Sequence, residues 1–236
     1  MEIALYLLVV FVAVFTQSLV GFGTAMVGMP LLVSLVGIQI ASPLVAMIGL
    51  TVEVILVIRY WDKLNLRVVW RLIAAAIVGI PLGVMMLKRV DETIVLTILG
   101  VVIVSYAVYG LLKLKLPRLD AAFWPYLVGF LSGVLGGAYN TSGPPVVIYG
   151  NCRRWTPSEF LGNLQSFFLA VDLIVVVTHA ASGSITTEVW QAFLLALIPM
   201  ALGLVSGTLL AGRVNQAVFS KLVLVMLIFL GLRLIF

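Results

Sequence analysis

The stretch Gly136-Gly137-Ala138-Tyr139-Asn140-Thr141-Ser142-Gly143-Pro144-Pro145 interrupts an apolar run that extends from about residue 122 to residue 150. Glycine and proline remove or weaken helical backbone hydrogen bonding. A bilayer tolerates irregular backbone only inside protein or beside a water-filled cavity. A membrane crossing needs about 20 residues, so the run is too long for one upright helix and too short for two. It therefore predicts a helix, a break and a shorter returning half-helix.

The rest of the chain has the composition of a membrane protein. Of its 236 residues, 63% are hydrophobic and 10% are charged, whereas a soluble domain carries about 25% charged residues. The first apolar run has a similar interruption at Gly21-Phe22-Gly23-Thr24, and the six unbroken runs suit one crossing each. The eight runs cover residues 3–36, 41–60, 67–88, 93–114, 122–150, 158–181, 188–212 and 216–236. They predict an all-α polytopic membrane protein.

The two halves of the chain repeat each other. A shift of 115 residues places Gly28-Met29-Pro30 on Gly143-Pro144-Pro145, and a shift of 124 places residues 79–90 on residues 203–214. Each half therefore contains a broken-helix hairpin followed by three transmembrane helices, within a single membrane domain. The predicted repeats are residues 1–116 and 117–236.

The distribution of positive charge predicts that these repeats have inverted topology. If the first and fifth runs return to their starting side, only Lys88, Arg89 and Arg233 of the 14 Lys and Arg residues lie opposite the others. If every run crosses once, the same charges divide as 8 and 6. Because cytoplasmic loops are enriched in Lys and Arg, the hairpin arrangement is favoured. Each repeat then crosses an odd number of times, and both termini lie outside.

The two interruptions supply the candidate substrate-binding residues. A helix N-terminus offers unpaired N–H groups and a partial positive charge, which suits a small anion, and nearby hydroxyl and amide groups add hydrogen bonds. Alternatively, the hydroxyls only cap helices, the glycines only permit close packing, and the glutamines bond between helices. The predicted substrate-binding residues are Gln17, Gly23, Thr24, Asn140, Thr141, Ser142, Gly143 and Gln165.

Two carboxylic acids, Glu53 and Asp172, lie well inside apolar runs. A charged side chain at the centre of a transmembrane helix costs about 3 kcal/mol on insertion scales, and such residues often belong to proton relays. Both are therefore candidates for proton coupling. The alternative for each is a protonated acid bonded between helices.

Other site classes are excluded by composition. The single cysteine, Cys152, and the single histidine, His179, cannot form an internal disulfide or a metal centre built from several Cys or His residues. No metal or other cofactor is predicted. The basic residues occur in short loops and form no contiguous face, so no nucleic-acid partner is predicted either. The predicted partners are a small anion and the lipid bilayer.

At these motifs the chain resembles the TauE/SafE family of membrane permeases, also called sulfite exporters. Gly21-Phe22-Gly23 leading to Gly28-Met29-Pro30 is similar to the family's first motif, although Thr24 and Ala25 stand where glycines are common. Gly136-Gly137 leading to Ser142-Gly143-Pro144-Pro145 is similar to its second motif. The resemblance implies a secondary transporter, not an enzyme, in the cytoplasmic membrane. It also implies a small sulfur-containing anion, such as sulfite or an organosulfonate, as the substrate.

Two further function classes fit parts of the sequence. In an anion channel the two hairpins form a pore, and Glu53 and Asp172 are incidental. In an intramembrane hydrolase Ser142 is the nucleophile and His179 the base. A secondary transporter with inverted repeats accounts for more of these features than either alternative.

The inverted arrangement predicts an external C-terminus. We expect a cysteine added after Phe236, in a Cys152→Ser background, to react with a membrane-impermeant maleimide in intact cells. A cysteine at Arg118 is the matched control and should react only after lysis. A C-terminal cysteine that reacts only after lysis rules the arrangement out.

Overall fold

The chain is all helical throughout the part that the structure describes. This computed structural model describes residues 2–21, 24–59, 64–112, 117–210, 213 and 215–236, and they contain ten α-helices and no strand. The helices are α1 (Glu2–Val20), α2 (Thr24–Val36), α3 (Ile38–Arg59), α4 (Leu66–Arg89), α5 (Glu92–Leu112), α6 (Trp124–Tyr139), α7 (Gly143–Cys152), α8 (Pro157–Ala181), α9 (Thr187–Leu210) and α10 (Gln216–Ile235). The predicted all-α class is confirmed.

Six of these helices are long and apolar enough to cross a membrane, within the described residues. They are α3, α4, α5, α8, α9 and α10. The first and fifth apolar runs are each divided into two helices, α1 with α2 and α6 with α7. At 13 and 10 residues, α2 and α7 are about 20 and 15 Å long, against a hydrocarbon core of about 30 Å. The chain is therefore a multi-pass membrane protein that also contains two half-helices.

The helices form two compact units that differ from the sequence repeats. The first unit comprises residues 1–48, 89–114 and 185–236, and the second comprises residues 49–88 and 115–184. Each unit therefore combines the hairpin of one half of the chain with the third apolar run of the other half. The first unit contains α1 and α2 with α9, and the second contains α6 and α7 with α4.

In the first unit, α2 folds back along α1. The Thr24 backbone N–H donates to the Gln17 side-chain oxygen at 2.9 Å, and Gly28 lies against Ala13. Partners that move in opposite directions along the two helices make the pair antiparallel. On its other side α1 packs on α9, where a Cβ on Gly203 would lie 2.8 Å from the Phe11 carbonyl oxygen.

In the second unit, α4 and α6 pack with their backbones almost in contact. A Cβ on Gly133 would lie 2.5 Å from the Ala76 carbonyl oxygen, and a Cβ on Gly137 would overlap the carbonyl of Ile80. Because both partners advance by four residues together, α4 and α6 are parallel. Small residues at such spacing let two membrane helices approach closely, and the van der Waals contacts between them then hold the helices together. Lipid itself supplies no hydrophobic force between helices.

The α1/α9 and α4/α6 pairs have the same construction. In both, a glycine of the long helix (α4 or α9) lies against a carbonyl oxygen of the hairpin's first helix and against the amide nitrogen four residues later in that helix. Gly203 meets Phe11 and Phe15 in this way, and Gly79 meets Phe130 and Val134. Each hairpin is thus held by its long arm against a long helix from the other half of the chain.

Close packing at Gly83 predicts a large effect of a single methyl group. A Cβ there would overlap the Val134 carbonyl oxygen and lie 2.8 Å from the Ala138 nitrogen, both backbone atoms. We expect Gly83→Ala to destabilise the protein by about 2 kcal/mol, lowering the Tm by about 5 °C. The measurement is thermal unfolding of purified protein in detergent.

Gly28→Ala is the matched control. Its new Cβ would lie 3.4 Å from the Ala13 Cβ, an ordinary contact, so its Tm should stay within about 1 °C of wild type. Equal Tm values for the two variants would contradict the backbone packing of α4 on α6.

Candidate functional site

The second interruption begins where Asn140 ends α6. Asn140 has a φ of 56° in the left-handed region, which asparagine tolerates better than most residues. Its backbone N–H donates to the Gly136 carbonyl at 2.8 Å, and the Thr141 N–H reaches back to the Leu135 carbonyl at 3.3 Å. The Thr141 hydroxyl donates to the Tyr139 carbonyl at 3.0 Å. The break therefore satisfies much of its own backbone.

The half-helix α7 starts immediately after this turn with an unusual first turn. Ser142 is its N-cap residue and makes no side-chain cap hydrogen bond within the described part of the chain. Pro144 and Pro145 have no N–H group, so Gly143 and Val146 carry the N–H groups of the first four helical residues. The N-terminus of α7 keeps its partial positive charge but offers fewer donors than an ordinary helix.

Helix α8 lies alongside the break and brings Asp172 to the same level. A Cβ on Gly143 would lie 3.4 Å from the Phe168 ring, and a Cβ on Gly136 would lie 3.5 Å from Val171. These two contacts bracket residues 140–142. Asp172 follows Val171 directly, so its backbone lies within one residue of the break along the axis of α8.

The Asp172 carboxylate meets α3 at a glycine. Its Oδ2 atom lies 3.4 Å from the position of a Cβ on Gly49, so the absence of a side chain leaves room for it. Glu53 is one helical turn further along the same face of α3 and is 1% exposed. The second unit thus brings both predicted proton-coupling residues to the contact of α3 with α8.

Gln165 is fully buried in α8, on the face that also carries Asp172 two turns later. The second unit therefore contains Asn140, Thr141, Ser142, Gly143 and Gln165 together with the two acids. Whether these residues bind substrate stays a prediction.

Three buried polar atoms near these residues have no hydrogen-bond partner in the described part of the second unit. They are Ser132 Oγ and Tyr139 Oη in α6 and Asn163 Oδ1 in α8. A buried polar atom left unsatisfied costs about 1–3 kcal/mol, so such groups commonly bind water or a ligand. Tyr139 and Asn163 are not among the predicted binding residues. Their positions in the sequence could have indicated them, because Tyr139 lies beside the break and Asn163 is a polar residue inside an apolar run.

The first interruption is built differently. The Gln17 side-chain oxygen accepts the Thr24 N–H, so Gln17 bonds across the hairpin and caps α2. The Thr24 hydroxyl oxygen is buried and has no hydrogen-bond partner among the described residues. Gly23, the third predicted residue of this group, lies outside the described residues.

The second unit does not bring Ser142 and His179 together. Gly143, next to Ser142, lies against Phe168, and His179 is eleven residues further along α8, a rise of about 16 Å. A nucleophile and its base need hydrogen-bond contact. His179 is buried at the end of α8, where the charge of Lys88 acts on its imidazole. The Lys88 ammonium donates a hydrogen bond to the Ser182 carbonyl.

Comparison with known proteins gives one match. Residues 6–234 match the family model described as "Sulfite exporter TauE/SafE". No curated protein and no solved structure matches the chain.

The left-handed backbone at Asn140 separates a structural role from a binding role. Asn140→Ala places a residue without a polar side chain in the left-handed region of φ. It should therefore lower the free energy of unfolding by about 1 kcal/mol. Asn140→Gly keeps the backbone geometry but removes the amide group. We expect the glycine variant to keep the wild-type Tm and to lose at least about tenfold in anion uptake, the cost of two good hydrogen bonds. Wild-type uptake by Asn140→Gly would mean that Asn140 only ends α6.

Proposed function

The chain belongs to the sulfite exporter TauE/SafE family, a family of membrane transporters and not of enzymes, and from that premise we propose that it is a secondary transporter of sulfite or an organosulfonate in the cytoplasmic membrane. A multi-pass transporter with a small-molecule substrate follows from the family and from the six apolar helices. The anion, the membrane and the coupling are the proposal.

The observation that carries the proposal is the polar break between α6 and α7. Asn140, Thr141 and Ser142 stand at the positive end of a half-helix. The same unit contains buried oxygen atoms of Tyr139 and Asn163 that have no hydrogen-bond partner among the described residues. Helix dipoles and hydrogen bonds can hold an anion without a basic residue. In transporters built on broken helices, half-helix N-termini point at anionic groups of the substrate.

We propose inverted repeats, residues 1–116 and 117–236, as the framework of the transport cycle. The asymmetry of Lys and Arg supports opposite orientations of the two halves. The equivalent packing of α1 on α9 and of α4 on α6 supports the repeat itself.

Proton coupling through Glu53 and Asp172 completes the proposal. Asp172 lies beside the break along the axis of α8, which supports a role close to the substrate. Glu53 is buried, which supports a role away from bulk water. An anion that moves together with a proton crosses the low-dielectric region with less net charge, which reduces the electrostatic cost.

The test is uptake of labelled sulfite into proteoliposomes with and without an acid-outside pH gradient. We expect the gradient to drive uptake by the wild type, and Glu53→Gln to lose at least about tenfold of that gradient-driven uptake, because an amide cannot release a proton. Glu92→Gln is the matched control, since Glu92 is an exposed acid in the first turn of α5, and it should transport like the wild type.

Each part of the proposal can fail separately. Sulfite flux that ignores the pH gradient and is too fast for a carrier cycle would favour an anion channel. Gradient-driven uptake that survives in Glu53→Gln would remove Glu53 from the coupling mechanism. If sulfite does not move but a larger sulfonate does, sulfite is excluded as the substrate, and the carrier with an organosulfonate substrate stands.

A further inference from the structure

The C-terminal end of α7 carries a cluster of arginines around a single carboxylate. We propose that Arg153, with Arg71 and Arg118, forms a recruiting site for small anions, and that Asp120 is an internal carboxylate which occupies Arg153 until an incoming anion displaces it. This inference rests on the proposed function, because it names the place where a transported anion first binds.

Asp120 is held by two guanidinium groups. Its Oδ1 atom lies 2.6 Å from Arg153 Nη1, and its Oδ2 atom lies 3.7 Å from Arg118 Nε. Arg153 Nη1 also donates to the Leu119 carbonyl at 3.4 Å. The carboxylate thus comes from the segment that precedes α6, and the Arg153 guanidinium comes from the end of the second hairpin.

A third guanidinium group adds to the positive potential of this cluster. Arg71, from α4, acts electrostatically on the hydroxyl group of Tyr149 in α7, and so do Arg153 and Asp120. Among the described residues, two guanidinium groups and one carboxylate therefore act on this hydroxyl, and Arg118 adds a third guanidinium group on the far side of the Asp120 carboxylate. The excess of positive charge favours an added anion.

The turn that carries Arg153 is firmly built. The Arg153 N–H donates to the Tyr149 carbonyl at 2.8 Å, and the Trp155 N–H donates to the Gly150 carbonyl at 3.1 Å. The next helix starts with a capping box between Thr156 and Glu159, and its two hydrogen bonds from Thr156 hold the pKa of the Glu159 carboxyl below its ordinary value. These bonds hold the backbone of Arg153 in place at the end of α7.

The bond between Asp120 and Arg153 is suited to exchange. The two side chains are 58% and 36% exposed, and ion pairs in contact with water are weak and screened by salt. The planar guanidinium binds carboxylates and other oxyanions through the same pair of N–H donors. An oxyanion such as sulfite or a sulfonate can therefore take the place of the Asp120 carboxylate on Arg153.

The test uses Trp155 as a local reporter. Its indole ring lies 5.8 Å from the Tyr149 ring, centroid to centroid, and is partly exposed. The other four tryptophans are replaced by phenylalanine, and iodide, an anionic quencher, is compared with neutral acrylamide at low salt. We expect Asp120→Asn to raise the iodide quenching constant about twofold and Arg153→Gln to lower it about twofold, from the Coulomb energy of one screened charge.

Two controls distinguish recruitment at Arg153 from an effect of total charge or of folding. Arg154→Gln removes the same charge from the next residue and should change iodide quenching less than Arg153→Gln does. Acrylamide quenching should be unchanged in every variant, and the differences in iodide quenching should disappear at about 0.5 M salt, where the screening length is about 4 Å. Iodide quenching that is equal in Asp120→Asn, Arg153→Gln and the parent protein overturns the proposal.

Sulfite transport by the same variants separates this inference from the proposed function. We expect the half-saturating sulfite concentration to fall severalfold in Asp120→Asn and to rise severalfold in Arg153→Gln, with the maximal rate unchanged. A reduced maximal rate in both variants, with unchanged half-saturation, overturns recruitment and makes the pair a structural brace. If iodide follows the variants while sulfite is not transported, the recruiting site stands and the proposed substrate fails.

Discussion

In a bilayer every backbone N–H and C=O group must find its partner inside the protein, and both breaks follow from this constraint. At the second break, left-handed Asn140 turns the chain so that Thr141 can donate to Leu135, and two prolines eliminate donors that α7 would otherwise leave unsatisfied. At the first break, the Gln17 side chain meets the Thr24 N–H. The polar residues of the breaks therefore serve the backbone first, and only the groups that remain are available to a substrate.

The same constraint explains why the hairpins need long unbroken helices beside them. A half-helix cannot bury its open end by itself, and lipid gives no hydrophobic force that would press it against a neighbour. Glycines at Gly79 and Gly83, and again at Gly203 and Gly207, let the backbones of a long helix and a hairpin arm approach closely. Contacts from the other half of the chain thus help to hold each break in place.

The second unit arranges its charged groups at two levels along α7. Arg153 and Asp120 lie at one end of the half-helix, and the polar break with Asp172 lies at the other, about 15 Å away for a helix of ten residues. In the transport that we propose, an anion recruited at the first level has to give up its hydration before it reaches the second. A neutralising proton on a buried acid lowers the cost of that step, which connects the proposed recruiting site to the proposed coupling.

The helical class, the number of apolar segments and the place of both breaks follow from the order of residues alone, because lipid solubility and the backbone chemistry of glycine and proline act over a few residues. Pro144 and Pro145 also show in the sequence that the first turn of α7 lacks two backbone N–H donors. The contact of Asp172 with Gly49, the ion pair of Asp120 with Arg153 and the separation of His179 from Ser142 depend instead on how the helices pack. Such pairs join residues far apart in the chain, and which residues meet depends on how helix surfaces pack, which neither composition nor periodicity specifies.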